Sequence, residues 1–187
     1  MQAIETKLKG CYILEPTIFP DARGYFFESF NQSKFEQAVG NSQPFVQDNQ
    51  SYSTRGVLRG LHAQSGAYAQ AKLVRVLEGE VLDVAVDIRP NSASFGQYVS
   101  VVLSAENKKQ LYIPRGFLHG FVVLSETASF FYKCDNSYHK ESEIGVHYKD
   151  KVLNIDWQIP EEELSISAKD EILPSFTELK AQLTNEK

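Results

Sequence analysis

The sequence predicts an all-β protein, an antiparallel sandwich or barrel with a few short helices at its periphery. The first observation is a hydrophobic period of two, which is typical of strands. In the segment 81–88, one strand face carries Leu82, Val84, Val86 and Ile88, and the other carries Asp83, Ala85 and Asp87. The second observation is that such runs are short and are separated by turn-forming clusters at 20–24 and 89–92. About ten strands of this kind, with little helical spacing, favour a sandwich or barrel.

The predicted strands follow one another along the whole chain. They cover residues 11–14, 25–30, 72–77, 81–88, 98–103, 110–113, 120–124, 129–134 and 144–148. Glu78 and Gly79 lie between two strand patterns, and a short glycine-containing connection of this kind predicts a tight hairpin.

Two segments have helical rather than strand character. Residues 33–39 begin at Ser33, a predicted N-cap with Glu36 three residues later, and end before Gly40. Residues 174–183 place Phe176, Leu179 and Leu183 at helical spacing, which predicts a C-terminal surface helix.

Length and charge limit the classes of function. The 187 residues suit one domain, expected over 1–187, and the net charge of −5 offers no broad basic surface for nucleic acid. A small anionic ligand needs only a few local Arg and Lys residues. We see no apolar stretch of membrane-spanning length, no secretory signal at the start and only two cysteines. We therefore expect a cytoplasmic protein with neither nucleic acid nor membrane as a partner.

The densest polar cluster in the sequence begins at 47–51 and continues through Arg59, His62 and Lys72. In a regular strand Arg59 and His62 would face opposite sides. A bend at Gly60 would bring both side chains to one cavity. The alternative for Arg59 and Lys72, a solvent-exposed barrel rim, stays open at this point.

Three further positions have both a structural and a functional interpretation. His119 follows a Pro-Gly turn near the start of a predicted strand, where a histidine often only supports the fold. Tyr132 alternates with its neighbours in a strand, and buried tyrosines are common in β-cores. Lys169 and Asp170 would usually form an ordinary pair on a surface turn.

Several motifs recur in a fixed order along the chain. They are Phe19-Pro-Asp-Ala-Arg-Gly-Tyr-Phe-Phe-Glu28, Gln47-Asp-Asn-Gln-Ser-Tyr-Ser, Gly56-Val-Leu-Arg-Gly-Leu-His62, Gln70-Ala-Lys-Leu-Val, Gly79-x-Val-x-Asp-Val-Ala-Val-Asp-Ile-Arg89, Ser94-Phe-Gly, Ile113-Pro-x-Gly-Phe-x-His-Gly-Phe, Tyr132-Lys-Cys, Tyr138 and Ser167-x-Lys-Asp170. In this order, over about residues 10–174, the chain resembles the dTDP-4-dehydrorhamnose 3,5-epimerase family.

The resemblance implies a cupin-type double-stranded β-helix, that is a jelly-roll barrel, assembled as a homodimer. It implies an isomerase of dTDP-L-rhamnose biosynthesis, which converts dTDP-4-dehydro-6-deoxy-D-glucose to dTDP-4-dehydro-L-rhamnose. The chain departs from the family at Ala63, where an aromatic residue is frequent, and at 146–148, a segment that usually ends in Trp. These departures leave open the sugar preference and the choice between double and single epimerisation. A 3-epimerase or a 3,4-ketoisomerase on the same scaffold stays an alternative, as does a non-enzymatic sugar-binding module, although the predicted base, cation and acid together argue against the module.

The chemistry assigns a role to each reactive side chain. His62 is the predicted base, since imidazole titrates near neutral pH. By resemblance Asp170 supports His62, with Asp83 as the competing partner on sequence grounds. Lys72 would face the developing oxyanion, and Tyr132 is the predicted acid. The resemblance also assigns substrate contacts to Arg23, Glu28, Gln47, Asp48, Asn49, Arg59, Lys72, His119, Glu143 and Lys169.

The sequence contains only one of the two motifs that together form the metal-binding signature of cupins. Pro-x-Gly-x-x-His ending at His119 is also found in metal-binding cupins, but these need His-x-His in the first half, where this chain has His62-Ala63-Gln64. The remaining histidines, His139 and His147, lie outside both signatures. Since a metal needs three or four placed ligands, we expect neither a metal nor another cofactor.

Overall fold

The computed structural model describes residues 1–185 and confirms the all-β prediction. Its strands are β1 (Gln2–Glu5), β2 (Tyr12–Glu15), β3 (Phe19–Asp21), β4 (Gly24–Phe26), β5 (Gln47–Thr54), β6 (Val57–Gln64), β7 (Lys72–Glu78), β8 (Glu80–Asp87), β9 (Tyr98–Ser104), β10 (Gln110–Ile113), β11 (Phe117–Val123), β12 (Thr127–Cys134), β13 (Glu143–Gly145) and β14 (Ser165–Ile166). The α-helices are α1 (Gln32–Val39), α2 (Ala168–Glu171) and α3 (Phe176–Asn185), and short 3-10 helices cover Gly66–Tyr68, Lys140–Ser142 and Glu161–Glu163.

Two sheets face each other. The first sheet has the order β1-β2-β10-β7-β12-β5, and the second has the order β13-β6-β11-β8-β9. Strand β14 adds to β6 in parallel, while β3 and β4 form a separate hairpin. The order places strands distant in sequence side by side, such as β12 between β7 and β5. This arrangement is the jelly-roll type of closed sandwich.

Apolar side chains fill the space between the sheets and cover both outer faces. Phe121 and Phe130 belong to the central cluster between the sheets. On the outer face of the second sheet, Trp157 and Leu179 belong to a cluster that joins side chains of the sheet to side chains of the C-terminal part of the chain. On the outer face of the first sheet, Phe35 of α1 covers the cluster there. A strand such as β8 is therefore buried on both faces, including the face that carries its aspartates.

The predicted hairpin at Glu78 and Gly79 is wrong. Strand β7 belongs to the first sheet and β8 to the second, so the chain turns a corner between sheets. Gly79 has φ +77°, and a Cβ there would lie 2.0 Å from the carbonyl oxygen of Thr127. Glycine is needed at this corner because of its positive φ angle and because the backbone of Thr127 lies so close. Neither requirement depends on whether the two flanking strands pair with each other.

Both predicted helices form, with shifted starts. Helix α1 begins one residue before Ser33, and its N-cap is Asn31, whose side chain accepts from the Lys34 N–H. The predicted Ser33 cap is wrong because Asn31 is the residue with extended backbone geometry, while Gly40 ends the helix in the left-handed conformation as predicted. Helix α3 starts at Phe176 rather than at residue 174. No helix among residues 1–185 is long and apolar enough to cross a membrane.

Candidate active site

A pocket of about 630 Å³ lies between the two sheets. Its lining includes side chains of both sheets: Arg59, His62 and His119 from the second, and Asn49, Lys72 and Tyr132 from the first. The buried rings of Phe121 and Phe130 add an apolar surface, and they stack with centroids 4.1 Å apart. The lining thus combines charged and polar groups with an apolar surface, as small-molecule sites usually do.

A kink in β6 allows two of the predicted site residues, Arg59 and His62, to reach this pocket. The register between β6 and β11 shifts between His119 and Phe121, opposite Gly60. Gly60 has φ +128°, and a Cβ there would lie 2.6 Å from the Cα of Gly120. Only glycine tolerates this angle and this close approach. The predicted bend is present, and Arg59 and His62 both line the pocket.

His62 is held by a buried carboxylate. Its Nε2 lies 2.7 Å from Oδ1 of Asp170, and the other carboxylate oxygen lies 3.4 Å from the backbone N–H of Gly60. Asp170 is positioned by the short helix α2, where its backbone N–H donates to Ser167 Oγ. Burial lowers the pKa of His62, and Asp170 opposes this effect. The imidazole is therefore a neutral base near pH 7, with Nδ1 free for a substrate.

The other aspartate considered as a partner of His62 pairs elsewhere. Asp83 is fully buried, and its Oδ2 lies 2.9 Å from Nε2 of His119. His62 and His119 are direct partners in the β6–β11 register. The pocket therefore contains two neighbouring His–Asp pairs, and the geometry assigns Asp170 rather than Asp83 to His62.

Lys72 is a desolvated cation at the wall of the pocket. Burial lowers the pKa of its amino group, and its Nζ lies 5.8 Å from the ring centre of Tyr132. Within residues 1–185 no carboxylate forms an ion pair with it. Its charge is therefore available to an anionic group in the pocket.

Tyr132 lies on the opposite sheet from His62. It lies on β12, between Asn49 of β5 and Val74 of β7. Its half-buried ring packs against Phe130 with centroids 6.0 Å apart. Burial raises the pKa of the phenol, so the hydroxyl keeps its proton at neutral pH. It can thus donate a proton from the wall that faces His62.

A second compartment of about 280 Å³ adjoins the first. Both compartments share Asn49, His62, Lys72 and Tyr132, so the reactive side chains lie at their boundary. The second compartment adds Gln47, Ala63, Gln64, Gln70, Cys134, Tyr138 and Glu143. Of these, Gln64, Gln70 and Cys134 had no predicted role. The period of two on β12 could have predicted that Cys134 lines the site, since it places this residue on the same face as Tyr132.

Glu143 connects the rim of the second compartment to helix α2. Its carboxylate accepts a hydrogen bond from the hydroxyl of Tyr138 at 3.1 Å and forms a close ion pair with Lys169. Burial raises the pKa of Glu143, but the hydrogen bond from Lys169 and the nearby positive charge outweigh it, and the net pKa is below its usual value. Lys169 itself lines the main compartment.

Three residues expected to contact substrate lie away from both compartments of this chain. The Arg23 side chain is 89% exposed and pairs with Asp21 at 2.6 Å. Glu28 pairs with Lys34 at 2.8 Å, and Asp48 pairs with Lys133 at 2.9 Å. These side chains are engaged in exposed ion pairs at the surface, and their predicted contacts with substrate stay predictions.

No group of three or more His, Cys, Asp or Glu side chains among residues 1–185 is arranged to hold a metal ion. The two histidines nearest the centre of the pocket each have one carboxylate partner instead. The donor set therefore suits proton transfer and hydrogen bonding.

The chain is similar to proteins of known activity. Residues 5–178 match the family model described as dTDP-4-dehydrorhamnose 3,5-epimerase. The Escherichia coli (strain K12) protein of that name is 56% identical over 180 residues, covering 96% of each chain. A Legionella pneumophila epimerase, solved in complex with dTDP-4-keto-L-rhamnose, is 50% identical with a TM-score of 0.93, covering 97% of this chain and 96% of that chain. A 3'-monoepimerase from Streptomyces bikiniensis, solved with dTDP-quinovose, is 32% identical with a TM-score of 0.87, covering 99% and 91%.

Proposed function

The chain belongs to the dTDP-4-dehydrorhamnose 3,5-epimerase family, and on that premise we propose how its pocket performs the reaction. The chain is an isomerase of dTDP-L-rhamnose biosynthesis, which epimerises dTDP-4-dehydro-6-deoxy-D-glucose at C3 and C5. Its substrate is a dTDP-linked 4-keto-6-deoxy sugar. Both reacting carbons flank the C4 ketone, so removal of either hydrogen gives an enolate.

The first step of the proposed mechanism is proton removal by His62. Because Nε2 donates to Asp170, Nδ1 is the nitrogen that takes the proton from C3 or C5. Asp170 then stabilises the imidazolium that forms. Lys72 stabilises the negative charge that moves to the C4 oxygen, and a cation in a site with little water is effective at this. No electrons leave the substrate, so the step needs no redox partner.

The second step returns a proton to the opposite face of the same carbon. Tyr132 supplies it from the first sheet, and the resulting phenolate is reprotonated through solvent, while His62 releases its proton. The observation that carries the proposal is that the base and the acid line one cavity from opposing sheets. A sugar ring bound between the sheets would present one face to each residue, which is the geometry that inversion requires.

The proposed base is tested with His62→Ala, using His147→Ala as the matched control. His147 is a partly exposed histidine outside both compartments. In deuterated water, His62→Ala should lose both hydrogen exchange and epimerisation at C3 and C5, while His147→Ala keeps both. Proton NMR of the sugar measures the two activities separately. Exchange at both carbons by a folded His62→Ala protein would exclude His62 as the base.

We further propose that the enzyme is a homodimer, which the exposed hairpin β3–β4 supports. Phe19, Tyr25 and Phe26 on this hairpin are 58%, 59% and 69% exposed. Large apolar side chains clustered in this way are typical of interfaces. Arg23 is on the same hairpin, so its predicted contact with substrate would be made in the pocket of a second copy. Action in the cytoplasm stays a prediction.

A mixed dimer tests this assembly. Arg23→Ala and His62→Ala each remove one residue from a site. If each site draws Arg23 from one copy and His62 from the other, random mixing leaves about a quarter of all sites intact. Co-refolding the two inactive variants should then restore about a quarter of the activity. If the mixture stays as inactive as the separate variants, both residues act within one chain or the protein is monomeric.

A further inference from the structure

Asp83 is a buried carboxylate with a single hydrogen-bond partner. Its Oδ2 contacts Nε2 of His119, but its Oδ1 has no protein partner, and it is the one buried side-chain polar atom in residues 1–185 of which this is true. The residue is fully buried. By contrast, Asp87 on the same strand accepts from Arg89, Ser92 and Ser94. Both carboxylate oxygens of Asp87 therefore have hydrogen-bond partners, whereas only one carboxylate oxygen of Asp83 has one.

The apolar surroundings of Asp83 raise the free-energy cost of burying a carboxylate with only one hydrogen-bond partner. Alternation along β8 places Asp83 on the inner face with Val81 and Ala85, which belong to the central apolar cluster. Its cross-strand partners are Phe121 on β11 and Val101 on β9. A carboxylate placed among such groups without full hydrogen bonding lowers stability. Buried polar groups without full hydrogen bonding are expected at functional sites, where some folding stability is lost in favour of activity.

His119, the partner of Asp83, faces the pocket. It lines the main compartment together with Arg59 and the aromatic side chains Phe121 and Phe130. Its Nε2 is engaged by Asp83, and its Nδ1 has no protein partner in the described part of the chain. The arrangement repeats that of His62, whose Nε2 also meets a buried carboxylate.

We propose that Asp83 is a positioning residue, which acts on the substrate through His119. By accepting from Nε2–H, the carboxylate fixes both the ring orientation and the tautomer, so that the Nδ1 lone pair faces the pocket. His119 then accepts a hydrogen bond from a hydroxyl or N–H of the dTDP sugar. The inference rests on the proposed function, since it names how one binding residue of that site is held. The unpartnered Oδ1 is the structural consequence of placing a carboxylate under the pocket for this purpose.

The test is Asp83→Asn, which keeps the shape of the side chain and removes its charge. An amide can donate to Nε2, which favours the tautomer with the proton on Nδ1 and turns an acceptor in the pocket into a donor. Nitrogen-15 NMR should show the His119 proton on Nε2 in the wild type and on Nδ1 in the variant. The KM for the dTDP-4-keto sugar should rise about tenfold or more, while kcat stays within about threefold. The thermal midpoint should be unchanged or higher.

Asp87→Asn is the matched control on the same strand. It also removes a buried carboxylate of β8, but one that is fully hydrogen-bonded and outside the pocket. It should lower the thermal midpoint and leave both the KM and the His119 tautomer unchanged. The pair of variants therefore separates loss of stability from loss of binding.

A double variant tests whether Asp83 acts through His119. In a His119→Gln background, Asp83→Asn should raise the KM by less than about twofold more, because the effect has no imidazole to act on. An unchanged tautomer in Asp83→Asn, or a full additional rise in KM without His119, would overturn the proposal. Neither result would affect the role of His62, which His62→Ala tests on its own.

Discussion

At the scale of single residues, the behaviour of His62 follows from two opposing effects. Burial lowers its pKa below the ordinary value of 6.5, whereas Asp170 raises it. The net effect is a pKa below the ordinary value, which favours the uncharged ring that the proposed base needs at neutral pH. Asp170 also fixes which ring nitrogen is free, so its contribution is to orientation as well as to charge.

This balance predicts the pH dependence of Asp170→Asn. The base works in its neutral form, so kcat/KM falls as the pH decreases through the pKa of His62 in the free enzyme. Removal of the carboxylate removes an effect that raises this pKa. The acid limb should therefore move to lower pH than in the wild type, while the plateau falls by about 10²–10⁴-fold. A pH–rate profile measures both quantities, and an acid limb at higher pH would contradict the account.

Tyr132→Phe should separate two activities that the wild type combines. Proton removal by His62 continues, so deuterium from the solvent still enters C3 and C5 with retained configuration. Inversion should fall by about 10²–10⁴-fold, the loss typical of a missing general acid. Proton NMR in deuterated water measures exchange, and the amount of L-rhamno product measures inversion.

The control is Tyr52→Phe, which removes the same atom from an exposed tyrosine on β5 outside both compartments. It should leave exchange and inversion unchanged. Near-normal inversion by a folded Tyr132→Phe protein would mean that another group supplies the proton. A parallel loss of exchange would mean that the phenol also assists deprotonation.

Much of the site was predictable from the sequence at the level of residue types. His62, Lys72, His119, Tyr132 and Asp170 were all singled out, and the structure brings them to one pocket. Sequence reasoning from the residues left the choice between Asp83 and Asp170 open. Both are aspartates that can face inward, and which one meets His62 depends on how β8 and α2 pack around β6.

At the scale of elements, strands were easier to predict than connections. The alternation in β8 groups its side chains into two faces, but both faces are buried, including the one that carries Asp83 and Asp87. The corner at Gly79 could not be distinguished from a hairpin. Local sequence specifies a positive φ there, but the pairing partners of β7 and β8 are strands that lie far along the chain.

The start of α3 is set by a capping box that the sequence contains. Ser175 Oγ accepts from the N–H of Glu178, and the Glu178 carboxylate accepts from the N–H of Ser175. The helix packs Phe176 and Leu179 onto the outer face of the second sheet. The predicted surface helix is present, and its buried face is part of the core.

Ser175→Ala should destabilise the protein without affecting catalysis. Loss of an N-cap costs about 0.5–2 kcal/mol of unfolding free energy. Urea unfolding should show this decrease, while kcat and KM stay at wild-type values because α3 lies outside the pocket. Thr177→Ala, at an exposed position in the first turn of the same helix, is the control and should change stability by less than about 0.5 kcal/mol. An equal loss in both variants would argue against the capping box.

At the scale of the whole molecule, the two-sheet architecture and the reaction fit each other. One sheet supplies His62 and the other supplies Lys72 and Tyr132, and all three side chains line the space between the sheets. Inversion needs two proton-transfer groups on opposite sides of one carbon. The two facing sheets provide two such walls.

The jelly-roll architecture itself was predictable only in part. The sequence showed many short strands and few helices, which leaves several sandwich and barrel topologies possible. The resemblance to a family indicated which of these topologies to expect, the jelly roll. The assembly is harder to predict from the sequence than the fold. The exposed aromatic residues of β3–β4 indicate an interface, but they do not specify how the partner is oriented.

Double epimerisation is tested by product NMR of the wild-type enzyme in deuterated water. With dTDP-4-dehydro-6-deoxy-D-glucose as substrate, we expect a product inverted at both C3 and C5, with deuterium at both carbons. Label and inversion at C3 alone would make the protein a 3-epimerase. Movement of the ketone to C3 would make it a ketoisomerase, and binding without any exchange would make it a sugar-binding module. Each of these three results would contradict double epimerisation between the two sheets.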